Sequence, residues 1–231
     1  MTVYDYKESV HTWNTIAQSF NKTRQKPWKP CLSFINTLPK QILAADFGCG
    51  NGRHLITLSK HCANVIGLDI STELLRITQQ NFIRQQLPPP PLIHASLPTI
   101  PLKDSCIDAA LFIASLHNIK GKTHRIKALE EIHRVLKPKG TVLISVWTQE
   151  QERFRNHINK HNEKDTLETG DIYINWNKDS LQIPRYYHLY QKEEFSEDLK
   201  SAGFTIRSMT EECLASKKYP DNYFTVVQKD Q

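Results

Sequence analysis

Val10, Trp13, Ala17 and Phe20 recur three to four positions apart, the spacing of one helix face, so residues 8–20 read as an amphipathic helix. A second helix is expected from about Trp28 to Leu38, halted by Pro39. The apolar run Leu43–Phe47 reads as a first strand, Arg53–His61 as a helix and Asn64–Asp69 as a second strand. Ser71 has the character of an N-cap, with Glu73 in the first turn of a helix reaching about Gln86. Pro88–Pro91 forbid its continuation. Leu92–Ala95 is a short third strand; Ile107–Ile113, a fourth, is apolar enough to be covered on both faces. Thr123–Leu136 places Ile126, Leu129, Ile132 and Leu136 on one helical face, and Lys137-Pro138-Lys139-Gly140 ends it before a fifth strand, Thr141–Val146. After a polar, weakly periodic stretch at 148–190 come a helix near Glu193–Ala202 and strands near Thr205–Glu211 and Tyr223–Gln228. Strands alternating with helices predict a doubly wound, mostly parallel α/β sheet of seven strands with helices on both faces. The expected organisation is one domain over 1–231, with an N-terminal helical segment at 1–40. The stretch at 148–190 is too long for an ordinary connection and is expected to be a substrate loop.

Candidate chemistry begins where the first strand ends, in Asp46-Phe47-Gly48-Cys49-Gly50-Asn51-Gly52. Glycines there allow positive φ and let a ligand approach the backbone. The dinucleotide fingerprint G-x-G-x-x-G fails, because Arg53 stands at its third glycine. The tight G-x-G-x-G after an acidic residue instead resembles the first motif of the Rossmann-like S-adenosylmethionine-dependent methyltransferases. That resemblance assigns Gly48, Gly50 and Gly52 to the cofactor. Asp69, ending the second strand, would accept hydrogen bonds from the ribose hydroxyls, the alternative being a capping role before Ser71. Asp46 would orient the loop or meet the cofactor's ammonium group. Ser96 would flank the adenine, where many members carry an acidic residue.

The chain has 231 residues, a formal charge of +6, ten histidines and five cysteines. The cysteines are scattered without a C-x-x-C pair, which argues against a disulfide framework or a zinc site, and no resident metal is expected. No stretch approaches the roughly 20 apolar residues of a membrane span, and the N-terminus has no signal-like apolar core, so a soluble cytoplasmic protein is expected. Basic residues gather at Lys22, Arg24, Lys26 and Lys29, at Lys120, Lys122, His124, Arg125 and Lys127, and at Arg153, Arg155, Lys160 and Lys164. On one face they would form a footprint for a polyanion; the alternative is three solvated surfaces.

Several segments together resemble one family, the tRNA methyltransferases that esterify 5-carboxymethyluridine at the anticodon wobble position. These are Trp13–Phe20 leading into Thr23-Arg24 and Trp28, Leu116-His117-Asn118 through Arg125 to Glu131, and Arg185-Tyr186-Tyr187-His188-Leu189-Tyr190. Asn118 stands where a second histidine is common. The resemblance implies S-adenosylmethionine as cofactor, a tRNA anticodon stem-loop as substrate and a small zinc-binding activator subunit on the edge strand Leu92–Ala95. A carboxylate nucleophile, with a reference pKa of about 4, needs no general base. The expected catalytic groups are therefore Arg24, Arg185 and His188 around the anion, with His117 positioning substrate beside the methyl group. Trp28, Tyr186 and Tyr187 would stack the base, and Arg125 would hold substrate. Plainer alternatives are Trp28 in the core, Tyr186 and Tyr187 packing alternately in and out of a strand, and Arg24 as a surface charge. A small-molecule methyltransferase acting on a metabolite acid or quinone precursor shares every cofactor motif but needs no basic clusters.

Overall fold

The structure, a computed structural model, describes residues 6–151, 154, 168–215 and 218–230. The elements are α1 (Tyr6–Thr23), α2 (Lys29–Thr37), β1 (Leu43–Phe47), α3 (Arg53–His61), β2 (Asn64–Asp69), α4 (Thr72–Arg84), β3 (Leu92–His94) and β4 (Ile107–Ile113). They continue with a single 3₁₀ turn (Leu116–Asn118), α5 (Lys122–Val135), β5 (Leu136–Trp147), β6 (Asp171–Trp176), β7 (Ile183–His188), α6 (Lys192–Ser201), β8 (Thr205–Glu212) and β9 (Asn222–Gln228). One seven-stranded sheet runs β3-β2-β1-β4-β5-β9-β8, and β6 pairs with β7 in a separate two-stranded sheet. β1 to β5 pair in parallel, whereas β9 is antiparallel to both neighbours.

The apolar run in β4 is explained by cover on both sides. Ala110 and Phe112 face the core beneath α5 and α6, with Leu129, Ile132, Phe195 and Leu199. Ala109, Leu111 and Ile113 face the core beneath α2 and α3, with Phe34, Ile35, Leu55 and Leu58. Each large side chain fully buried here contributes about 1.5–3 kcal/mol. α4 opens as its sequence indicates, Ser71 Oγ accepting from the Leu74 N–H at 3.1 Å.

β5 begins at Leu136 rather than Thr141. Leu136 pairs with Ile107 and Thr141 with Ala109, so the intervening residues bulge out of the ladder. Lys139 has φ 64° and Lys137 Nζ meets Asp108 Oδ1 at 2.8 Å, which pins the bulge. The hairpin β6–β7 lies inside the segment that shows little periodicity in the sequence. Both of its faces are occupied, one by a cleft and one by buried ion pairs, so no polar side alternates with an apolar one.

α1 ties the sheet to this hairpin. Asn14 Oδ1 accepts from Ser71 Oγ (2.7 Å) and from the Glu73 N–H (3.2 Å) at the start of α4. At its far end the Asn51 and Asn81 side-chain amides both donate to Asn21 Oδ1, at 2.8 and 3.0 Å. Towards the hairpin, Trp176 Nε1 donates to Ser19 Oγ at 2.8 Å.

Candidate active site

A cleft opens at the carboxyl ends of the parallel strands, where doubly wound sheets bind ligands. It is lined by Gly48–Asn51 after β1, Asp69 and Ile70 after β2, Ser96 after β3, Ser115 and His117 after β4, and Trp147 ending β5. α1 adds Trp13 and Phe20, the link after it Arg24 and Trp28, and β7 contributes Arg185 and Tyr187.

The glycine loop is built for close approach. Gly48, Gly50 and Gly52 have φ of 71°, 58° and 81°. A Cβ on Gly48 would sit 2.2 Å from Ser115 Oγ and one on Gly52 2.6 Å from Thr78 Cγ2. Gly48→Ala is therefore expected to cost about 1–3 kcal/mol from overpacking and to abolish cofactor binding in a calorimetric titration. Near-normal affinity would show that Ser115 yields without disturbing the loop. Asp69 Oδ2 accepts from the Gly50 N–H at 2.8 Å and Oδ1 from the Ser71 N–H at 2.9 Å. The Ile70 N–H also bonds this carboxylate, and its remaining acceptor capacity is open to a ligand. Burial lifts its pKa to about 6. Asp46, on the neighbouring strand β1, is 1% exposed, and burial followed by repulsion from Asp69 lifts it to about 8.

The opposite wall is aromatic. Trp147 and Tyr187 stack with centroids 4.5 Å apart and planes 7° apart, and His117 lies 5.3 and 5.6 Å from the two rings. The Trp147 backbone N–H donates to His117 Nδ1 at 3.0 Å, which places the ring proton on Nε2. Burial, then the nearby His188 and Arg185, lowers His117 to about 3, so it is a neutral donor. The Arg185 guanidinium carbon sits 4.8 Å from the Trp176 centroid and 5.1 Å from that of Tyr187, whose hydroxyl accepts from Arg185 Nη1.

Of the residues expected at the site, Arg24, Trp28, Gly48, Gly50, Asp69, Ser96, His117, Arg185 and Tyr187 line the cleft. Gly52, the N-cap of α3, and Asp46, buried in β1, are outside the lining. Trp28 also packs into the core, edge-on to Phe224 at 5.8 Å. Arg125, Tyr186 and His188 are not in the lining, which departs from the expected substrate-contacting roles. The reason is strand geometry: on β7, Arg185 and Tyr187 point to the cleft, so Tyr186 and His188 point away. There Asp171 Oδ1 accepts from the Tyr186 hydroxyl at 2.6 Å and meets His188 Nδ1 at 2.7 Å, and Glu194 Oε1 meets His188 Nε2 at 2.9 Å. Arg125, fully buried, donates to Glu168 Oε2 at 2.6 Å. Glu168, Asp171 and His188 have metal-ligand spacing, but these partners already occupy the cluster. The third basic cluster (Arg153, Arg155, Lys160, Lys164) lies outside the described residues.

The buried network gives a pH signature. Burial pulls the His188 imidazole down, but its two carboxylate partners prevail and hold it above the usual 6.5. Burial likewise raises Asp171 and Glu194, yet their bonds to His188 bring both below their ordinary values. The raised histidine contributes stability that is complete below about 6.5 and lost as pH rises through its folded pKa. The lowered carboxylates contribute stability present above about 4 and lost as pH falls through their folded values. The network is strongest between these limits. His188→Ala strands two buried carboxylates and is expected to cost about 3–5 kcal/mol, with a smaller alkaline decline in melting temperature than wild type. Parallel pH–melting curves for the two proteins would refute this account.

Residues 45–144 match the family described as Methyltransferase domain. A mouse protein named tRNA (carboxymethyluridine(34)-5-O)-methyltransferase ALKBH8 is 33% identical over 166 residues, 71% of this chain and 24% of that protein. Its Schizosaccharomyces pombe counterpart, tRNA (carboxymethyluridine(34)-5-O)-methyltransferase, is 27% identical over 96% of this chain and 97% of its own length. Over these spans the chain is similar to tRNA carboxymethyluridine methyltransferases. It spans about a quarter of the mouse relative and nearly all of the fission-yeast one. The fold also matches one chain of a solved complex between the Haloferax volcanii Trm112 methyltransferase activator and a putative methyltransferase. That likeness has a TM-score of 0.68, 16% identity and coverage of 96% of this chain and 97% of that one.

S-adenosylmethionine, the cofactor that the resemblance of the glycine loop implies, fits the cleft. Gly48 leaves a cradle that a Cβ would fill, and Asp46 Oδ2 and Ser96 Oγ are buried without a hydrogen-bond partner. Orphaned buried acceptors of this kind are rare without a ligand to satisfy them. Sequence reasoning missed Trp147, Trp176 and Arg53 as site residues. Trp147 ends a central strand, which is a readable signal; Trp176 sits in the segment whose strands were not expected.

Proposed function

We propose that this methyltransferase esterifies the carboxylate of 5-carboxymethyluridine at the wobble position of tRNA. The observation that carries the reading is the cleft wall made by Arg185, His117, Trp147 and Tyr187. It offers a cation and a neutral N–H donor beside stacked aromatic rings, which suits an anionic pyrimidine. When bound, the cofactor supplies an electrophilic methyl group. Arg185 and His117 would hold the carboxylate and aim one oxygen, Trp147 and Tyr187 would exclude water and flank the base, and no group need remove a proton. His117, with its pKa near 3, suits positioning better than base catalysis.

In this reading the chain is one catalytic domain acting in the cytoplasm, with 1–40 and 148–190 as its substrate-facing segments. No helix among the described residues is long and apolar enough to cross a membrane. The exposed Lys26, Lys29 and Lys120 would meet the stem-loop backbone, whereas Arg125 is turned inward. A zinc-binding activator subunit would pair with β3, which is an edge of the sheet, near the 60%-exposed Ile83. The activator in the Haloferax volcanii complex supports such a partner.

The test is methyl transfer from labelled S-adenosylmethionine to tRNA bearing the free acid, with and without an activator subunit, followed by nucleoside mass analysis. A methyl ester on carboxymethyluridine is the expected product. Activity on a small carboxylic acid, with none on that tRNA, would replace this reading.

A further inference from the structure

Two arginines in the cleft face no carboxylate at ion-pair distance among the described residues. Arg53 opens α3 directly after the glycine loop, with its guanidinium carbon 4.3 Å from the Trp28 centroid. It makes a long hydrogen bond from Nη1 to the Lys26 carbonyl at 3.5 Å. Arg24 lies close by, 5.8 Å from the Phe20 centroid, with Nη1 reaching the Thr23 carbonyl at 3.3 Å. Burial is the main cause that lowers Arg53 to about 10, and repulsion from Arg24 adds to it, so Arg53 stays charged at neutral pH. Asp46 attracts Arg53 only from beyond ion-pair distance and, pushed up to about 8, is largely neutral itself.

These cations are fixed in place. Asn51 Nδ2 donates to the Arg24 carbonyl at 2.8 Å, while Asn81 Nδ2 donates to the Asn51 carbonyl at 2.9 Å. The Trp28 backbone N–H donates to His54 Nε2 at 3.3 Å, which anchors the main chain that carries this ring. Gly52, at the N-cap of α3, provides no side chain to cap the helix, so the positive end of α3 adds to the same field. Like charges held together in a cleft are a site for an anion, and arginine's planar fork matches a carboxylate.

We propose that Arg24 and Arg53 clamp the α-carboxylate of the cofactor's methionyl group. Arg24, expected from sequence to serve the substrate, then serves the cofactor. The pair flanks the glycine loop, Arg53 following Gly52 and the Arg24 carbonyl accepting from Asn51. Where the proposed function holds, the enzyme keeps two carboxylates apart: the cofactor's on Arg24 and Arg53, the substrate's on Arg185 and His117. That second half rests on the proposed function; the first does not.

The experiment is calorimetric titration, without RNA, of wild type, Arg53→Gln and Arg24→Gln with S-adenosylhomocysteine and with its decarboxylated analogue. Wild type is expected to prefer the carboxylate-bearing ligand by about tenfold or more. Each variant should lose most of that preference while binding the decarboxylated analogue within about twofold of wild type, which also reports a folded cleft. Equal weakening of both ligands would reduce the arginines to structural parts and overturn the proposal. Unchanged S-adenosylhomocysteine affinity would also overturn it, and reduced affinity of the same variants for a tRNA stem-loop in a separate titration would then assign the pair to phosphate. A chain that methylates some other acceptor would still show the lost discrimination, so the two readings fail separately.

Discussion

Arg185→Ala is expected to slow methyl transfer to carboxymethyluridine tRNA about 100-fold, with S-adenosylhomocysteine affinity within about threefold of wild type. The magnitude has two sources. A hydrogen bond to a charged group contributes about 1.5–3 kcal/mol, which is roughly ten- to a hundredfold in rate. Misplacing a nucleophile by about 1 Å costs about 100-fold where orientation carries the catalysis. Arg185 is held for this task, its guanidinium lying over Trp176 and Tyr187. Lysine offers the charge but not the plane, so Arg185→Lys should recover less than about a tenth of the lost rate. Single-turnover transfer kinetics with saturating cofactor make the measurement. Wild-type turnover by Arg185→Ala would remove Arg185 from the reaction, and an equal loss of cofactor affinity would show that the cleft itself has collapsed.

Asp69→Ala should weaken cofactor binding by about 100-fold or more. Alanine strands the Gly50 and Ser71 N–H groups that the carboxylate now accepts, each costing about 1–3 kcal/mol when left buried and unpaired. It also deletes the acceptors proposed to meet the ribose. Asp69→Asn is expected to fare little better, because its amide NH₂ would turn a donor towards a backbone donor. Wild type should show the same dependence through pH. Burial sets the unliganded carboxyl at about 6, and the ribose hydroxyls favour the ionised form, so the complex holds the proton less tightly. Affinity is then level above about 6 and falls as pH drops below it. Titrations from pH 4.5 to 8 test both claims; affinity flat across that range would mean that the carboxylate does not meet the cofactor.

The sheet was legible because strands buried on both faces read as plain apolar runs, as in β1 and β4. The glycine loop and Asp69 were legible because their chemistry tolerates few residue types. β5 was misread at its start, since a proline and a glycine read as an end, whereas the structure absorbs them in a bulge. The hairpin β6–β7 escaped because Arg185, Tyr186, Tyr187 and His188 are all capable of site chemistry, and periodicity cannot separate four polar or aromatic residues. Only the pleat does, sending Arg185 and Tyr187 one way and Tyr186 and His188 the other. Arg53 read merely as the residue that spoils a dinucleotide fingerprint, because its partnership with Arg24 depends on where α1 ends in space.

α1 touches the walls of both halves of the cleft, through Asn14 and Asn21 on the cofactor side and Ser19 on the hairpin side. Thermodynamic reciprocity then binds the two ligands to one account of each other. Under the proposed function, whatever factor S-adenosylmethionine applies to RNA affinity by settling this helix, RNA must return to S-adenosylmethionine undiminished. Product release inherits the same arithmetic: the demethylated cofactor and the esterified RNA loosen together or hold together, by a common ratio.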